Sequence, residues 1–139
     1  MKPSVLAGFP EPLAAIAFAN GEEPAWEQKD CQTAIDWLSQ NNHAVLGIDL
    51  WLVRDGSIST AISTKSGPAI YVSSCDPLKR ETWDDYVRRS AKEAGDFVAA
   101  FRWPEDSLEP PRTVYFNLCW ADREWFRTHK ENASHTFDK

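Results

Sequence analysis

Between Thr82 and Arg102 the apolar residues recur at helical spacing without a break, and no other stretch constrains the fold as strongly. Trp83, Tyr86, Val87, Ala91, Ala94, Phe97, Val98 and Phe101 trace one continuous face of a helix. Asp84 with Arg88, Asp85 with Arg89, and Lys92 with Asp96 fall on the other side at i, i+4 spacing, each pair worth roughly a few tenths of a kcal/mol. Thr82 is placed to cap the helix with Asp85 three residues on, and Asp84 and Asp85 suit the positive end of its dipole. Pro104 ends it. A helix this long with one apolar face needs a complementary surface, and the rest of the chain supplies strands.

The clearest strand is Ala44 to Val53, followed by the turn signal Asp55-Gly56. Strict alternation puts Leu46, Ile48, Leu50 and Leu52 on one side and Val45, Gly47, Asp49, Trp51 and Val53 on the other. The aliphatic set is expected to face the helices. Further strands are read around Ser57 to Ile62 and Ala69 to Ser74, separated by Gly67-Pro68. A last strand, Thr113 to Trp120, follows the Pro-rich loop Glu105 to Arg112 and alternates Val114, Phe116, Leu118 and Trp120 with Tyr115, Asn117 and Cys119. Upstream, Glu11 to Ala19 reads as a short helix, Asn20-Gly21 as a turn, and Glu27 to Asn42 as a helix with Cys31, Ala34, Ile35 and Leu38 on its core face. Trp37 falls outside that stripe, on the polar side near Asp30, Thr33 and Gln40. A final helical segment is read from Asp122, and the tail 132–139 is expected to fray. The expected class is α+β: a mostly antiparallel sheet of about four strands with helices packed mainly on one face. The chain's 139 residues suit one domain spanning 1–139.

Seven Trp and seven Phe imply an aromatic core. No apolar run approaches the ~20 residues of a membrane span, and Pro interrupts the N-terminus before a signal segment forms, so the cytoplasm is the expected location. Three cysteines at wide spacing, Cys31, Cys75 and Cys119, fit neither a disulfide framework nor a metal knuckle and are expected to be buried thiols. The net charge is −6, and residues 1–50 carry most of it: Lys2 and Lys29 stand against Glu11, Glu22, Glu23, Glu27, Asp30, Asp36 and Asp49. Such a field repels nucleic acid and membrane phosphates and attracts a basic protein.

The chemistry-bearing motifs are missing or incomplete. The six glycines are scattered, which disfavours a phosphate-cradling loop. No Gly-x-Ser-x-Gly elbow exists, and Ser90 lies within the long helix. Cys119 or Cys75 could meet a histidine in space, but buried strand thiols are the simpler reading. His43 sits at a helix end, His129 and His135 lie near the tail, and no Cys or His pair has the spacing of a structural zinc site. Neither a metal nor a cofactor is expected. Asp49 stands out because Asp is disfavoured in mid-strand. It marks either a polar, aromatic sheet face, shared with Trp51, Tyr115 and Asn117, that recognises a partner, or a carboxylate held by a loop or an Arg.

The strand Val45-Leu46-Gly47-Ile48-Asp49-Leu50-Trp51, the turn Asp55-Gly56, and the helix Trp83-x-x-Tyr86-Val87-x-Arg89-Ser90-x-x-x-Ala94-x-x-Phe97-Val98 together resemble the Immunity protein 40 family of bacterial polymorphic toxin systems. That family shows an Ile/Leu-Gly-Gly-acid-x-aromatic strand after an N-terminal helix, then a Tyr-Val-x-Arg-Ser helix. The similarity covers roughly residues 26 to 118, with Ile48 standing where a second glycine is usual. The resemblance implies a small cytoplasmic, non-enzymatic inhibitor whose partner is a cognate toxin. Its candidate contacts are Glu22, Glu23, Glu27, Asp30 and Trp37, with Asp49 and Trp51 as a second group. An ordinary solvated helix face is the plainer explanation of the acids. A small enzyme with a Cys or Asp centre and a self-associating scaffold are the alternative function classes.

Overall fold

Both edges of the Ala44 strand are paired, and this double pairing organises the molecule. The computed structural model describes residues 8–129. In chain order they form helix α1 (Glu11–Ile16), strands β1 (Phe18–Asn20) and β2 (Glu23–Glu27), helix α2 (Gln28–Gln40), strands β3 (Ala44–Arg54), β4 (Ser57–Ser59), β5 (Ala61–Thr64), β6 (Gly67–Ile70) and β7 (Val72–Ser74), helix α3 (Trp83–Ala100) and strand β8 (Val114–Ala121). A further helix, α4, covers residues 123–129 and is capped by Asp122, whose Oδ1 accepts the Trp125 amide at 3.0 Å. The tail 132–139 and His135 lie outside the described residues.

The main sheet runs β1-β2-β8-β3-β4, with β7 also paired to the outer edge of β3, and every pairing is antiparallel. Helices α2 and α3 pack together on one face of β2, β8 and β3. The α+β class is therefore as expected, but the main sheet has six strands rather than four, and β5-β6 form a second, two-stranded sheet. Part of the excess is the β1-β2 hairpin: Phe18 and Ala19 fall in the expected helix, Asn20 in the expected turn, and Glu23 to Trp26 in no expected element. Helix α1 stops at Ile16 because Ala17 is extended and Phe18 is drawn onto the sheet, 5.1 Å from Tyr115. Trp26 alternates with Glu27 and Ala25, so its side chain enters the core, where it is fully buried and its indole N–H donates to Leu13 O at 2.9 Å. Tyr71 divides the predicted Ala69–Ser74 strand: its carbonyl accepts the Leu50 amide while its ring packs edge-on against Phe101.

Strict alternation fails once in β3. Val45 faces Trp120 and Gly47 faces Cys119, leaving Leu46 as the extra residue of a β-bulge. The bulge reverses the parity, so Val45 joins Ile48, Leu50 and Leu52 in the main core, whereas Leu46 packs with Ala44, Cys75, Trp83, Tyr86, Val87 and Phe126. The bulge orphans the Val45 amide, and Ser90 Oγ accepts it at 3.0 Å from the buried face of α3. This makes a definite prediction for a residue that periodicity does not mark as core. Ser90→Ala leaves a buried donor unpaired and is expected to lower the unfolding free energy by about 1–3 kcal/mol in chemical denaturation.

The remaining residues of the Tyr-Val-x-Arg-Ser segment also act as fasteners. Tyr86 O–H donates to Cys75 O at 2.6 Å. Arg89 grips Glu81 with two bonds, at 2.6 and 2.8 Å, and donates to Asp76 O at 2.7 Å. It turns to Glu81 and Glu93 rather than to the expected Asp85, because a fork fits a two-oxygen acceptor on the adjoining loop. Arg88 pairs with Asp85 instead, one turn back, and Lys92 meets Asp96 at 2.9 Å as expected. Gly47 completes this set: a Cβ there would lie 2.9 Å from Ser73 O, so only glycine lets β7 press against β3.

Candidate functional site

The face of the sheet turned away from α2 and α3 carries the unusual chemistry. Its rows follow from register: Phe18, Ala25, Asn117, Asp49 and Val72 lie side by side, and Glu27, Tyr115 and Trp51 form the row beside them. Glu23 and Gly47 flank Cys119 in a third row. None of these outward positions carries Lys or Arg. Glu22, Glu23, Glu27 and Asp49 form no ion pair with any described residue.

The middle of the face is shaped as well as charged. Two adjoining depressions of about 390 Å³ each share Asp49, Asn117 and Cys119. Val72 and Ser74 extend one of them, and Glu22, Glu23 and Trp120 the other. Asn117 is 8% exposed, and its Nδ2 donates to Pro24 O at 2.8 Å. Along the row below, Phe18 lies edge-on to Trp51 at 6.2 Å and tilted over Tyr115. That cover leaves Trp51 only 5% exposed.

The candidate residues thus divide. Glu22, Glu23, Glu27 and Asp49 gather on or beside the open face, with Trp51 beneath its aromatic patch. Asp30 and Trp37 belong to α2 on the opposite side of the sheet. Asp30 meets Lys29 at 3.1 Å, and Trp37 is half-buried, 4.6 Å from Phe9 and stacked on His43. His43 sits at the helix end as anticipated, where its backbone amide donates to Leu38 O at 2.8 Å. Phe18 was missed because it fell within a predicted helix.

Cys119 was expected to be buried and is instead exposed, because it shares the outward parity of Asn117 and Tyr115. Burial, then the negative charges of Glu23 and Asp49, push its thiol above the usual range. Cys31 and Cys75 are buried, and burial pushes each up to about 12. The folded state therefore holds these protons more tightly than the unfolded chain does, so stability is complete below pH 9 and declines as pH rises toward 12. Thermal scans across that window should show a falling Tm, with Cys31 alone contributing a slope of about 1.4 kcal/mol per pH unit. Replacing Cys31 by Ala should flatten the decline.

Elsewhere, a depression of about 560 Å³ lies between the start of α2 and the end of α3, lined in part by Lys29, Arg102, Trp103 and Arg112. Its charge is largely compensated, since Lys29 pairs with Asp30 and Arg112 with Glu109. Among the described residues, no group of three or more His, Cys, Asp or Glu is arranged to hold a metal ion. Nor is any described helix long and apolar enough to cross a membrane.

A small α+β protein with its helices on one side of an antiparallel sheet and an acidic, dimpled face on the other is the class these features define. The chain belongs to the Immunity protein 40 family, whose model matches residues 12–119, most of its length. Comparison with curated proteins gives no match, and comparison with solved structures gives none.

Proposed function

We propose that this protein binds a cognate bacterial toxin domain and neutralises it by protein–protein association, without catalysis of its own. Family membership supports the general role. The observation that carries the contact surface is the open sheet face, on which Glu22, Glu23 and Asp49 line depressions shared by Asn117, and Glu27 stands in the adjoining row, none of them ion-paired with a described residue. Unpaired carboxylates on a dimpled face favour a basic partner, because complementary potential steers encounter and suppresses wrong partners. The same field disfavours nucleic acid and anionic membrane as ligands. The cytoplasm, where a toxin would act on its own producer, is the compartment this role requires. Asp30 and Trp37, on the helical side, are not part of this contact surface.

Cys119 offers a direct test, since its thiol sits at the centre of the face. The toxin domain encoded beside this gene, rendered inactive by mutation, should co-purify with the chain and protect Cys119 from maleimide labelling. Co-expression should also rescue cells from the active toxin. Rescue with unprotected Cys119 would place the contact elsewhere. A failure both to rescue and to co-purify would remove the proposed function.

A further inference from the structure

We infer that the free edge of β7 is a docking site for an extended, basic segment of the partner, which adds to the main sheet as a further strand. The inference rests on the proposed toxin-binding role and states which atoms hold the toxin. Strand β7 pairs with β3 on one side, and among the described residues no strand pairs with its other side. The ladder with β3 fixes which backbone groups are left over. Tyr71 O accepts the Leu50 amide at 3.1 Å and the Cys75 amide donates to Leu46 O at 2.9 Å, so the odd-numbered residues of this segment face β3. Alternation in an antiparallel ladder turns the N–H and C=O of Val72 and Ser74 the other way, toward the free edge. No side chain of a described residue bonds to them. These four groups suit an extended backbone, because an antiparallel segment exchanges two hydrogen bonds with Val72 and two with Ser74.

Soluble proteins guard exposed edges with a charge, a proline or a covering loop. From Ile70 to Cys75 the chain reads Ile-Tyr-Val-Ser-Ser-Cys, with neither charge nor proline. Ile70 and Val72, which flank the inward Tyr71, are 60% and 57% exposed. The edge therefore offers apolar side chains as well as unpaired backbone.

Charge and position choose the occupant. The edge is the rim of the depression that Val72, Ser74, Asp49 and Asn117 line, so an added strand continues the open face. Val72 lies opposite Asp49, and Ser74 lies opposite Gly47. A long side chain of the added strand beside Ser74 thus crosses only a serine and a glycine on its way to Asp49, which has no ion pair with a described residue. A Lys or Arg fits this path, its aliphatic stem over the small residues and its charge beside the carboxylate. A second copy of this chain is the poorer occupant, since each copy carries a net charge of −6 and brings the same unpaired carboxylates.

The test uses the full chain, isotope-labelled, with the inactivated toxin domain encoded beside its gene, and reads amide hydrogen exchange by NMR. In the free chain the Val72 and Ser74 amides should exchange about tenfold or more faster than those of Ser73 and Cys75, which face β3. In the complex the first two should slow by about tenfold or more. Ser73 Hα should also show an intermolecular Overhauser contact to an α proton of the toxin, which marks antiparallel pairing rather than mere coverage. Val72→Pro deletes one outward donor and spares the bonds to β3, so it should weaken capture about tenfold or more, whereas Val72→Ala keeps that donor and should weaken it far less. A docked toxin segment with no Lys or Arg on the open-face side would overturn the charge assignment. Slow Val72 and Ser74 exchange in the chain alone, strengthening with its concentration, would give the edge to a second copy and overturn the proposal. Toxin capture with these two amides unchanged would sink the edge and leave the proposed function standing, and no capture at all would remove both.

Discussion

Reversing Glu23 and Asp49 together to lysine is expected to slow capture of the toxin domain by about ten- to a hundredfold at low salt. Both residues are exposed and form no ion pair with another described residue, so the fold should keep its denaturation midpoint. The change swings the local charge by four units at the centre of the face. Encounter between oppositely charged surfaces depends on that field, and the field is screened over about 8 Å at physiological ionic strength. The association rates of the variant and the parent should therefore draw together as salt rises. A difference that is constant in salt would indicate lost contacts rather than lost steering. Lysines placed at Asp30 and Asp36, on the helical side of the sheet, serve as the control and should leave association little changed. Stopped-flow mixing at several salt concentrations reads all of these outcomes.

Trp26→Ala carries the largest expected cost in stability, about 3–5 kcal/mol. Trp26 is fully buried, its ring is 5.1 Å from Phe9, and its N–H satisfies Leu13 O. It thereby joins β2, α1 and the segment preceding α1. Phe9 in turn touches Trp37 and Trp120, so the cavity would open at a junction of four aromatic rings. Domains of this size are stable by only about 5–15 kcal/mol, so the variant should lose a large part of its margin and melt well below the parent. Trp26→Phe keeps most of the apolar volume and abandons the hydrogen bond, and about 1–2 kcal/mol is expected for it. Urea unfolding monitored by circular dichroism separates the two variants. A small loss in Trp26→Ala would mean that the N-terminal segment is not anchored through this ring.

Local pattern was sufficient wherever a residue's neighbours along the chain decide its environment. The apolar stripe of α3, the Thr82 cap and the alternation of β8 all depend on spacing alone, and each is present. So is the sharing of one face by Asp49, Trp51, Tyr115 and Asn117, because it needed only that two well-patterned strands pair. What could not be read depends on distant partners. The bulge at Leu46 is accommodated because Ser90, 45 residues further along the chain, accepts the Val45 amide it releases. The β1-β2 hairpin exists because Phe18 finds Tyr115 and Trp51. Trp37, placed among polar residues by helical counting, is covered by Phe9 from a segment with no periodicity of its own. Cys119 carries no local sign of exposure beyond its parity, and a cysteine in a strand invites the opposite reading.

Gly47, Tyr86, Arg89 and Ser90, which carry the family resemblance, all serve contacts within the fold: with the β7 backbone, the Cys75 carbonyl, the loop at Glu81 and the bulged amide. If the open face is the contact surface proposed above, recognition falls to outward side chains of β2, β3 and β8, while inward side chains of the same strands build the core. A related chain could be retargeted by exchanging outward side chains alone, with the hydrophobic interior left as it stands.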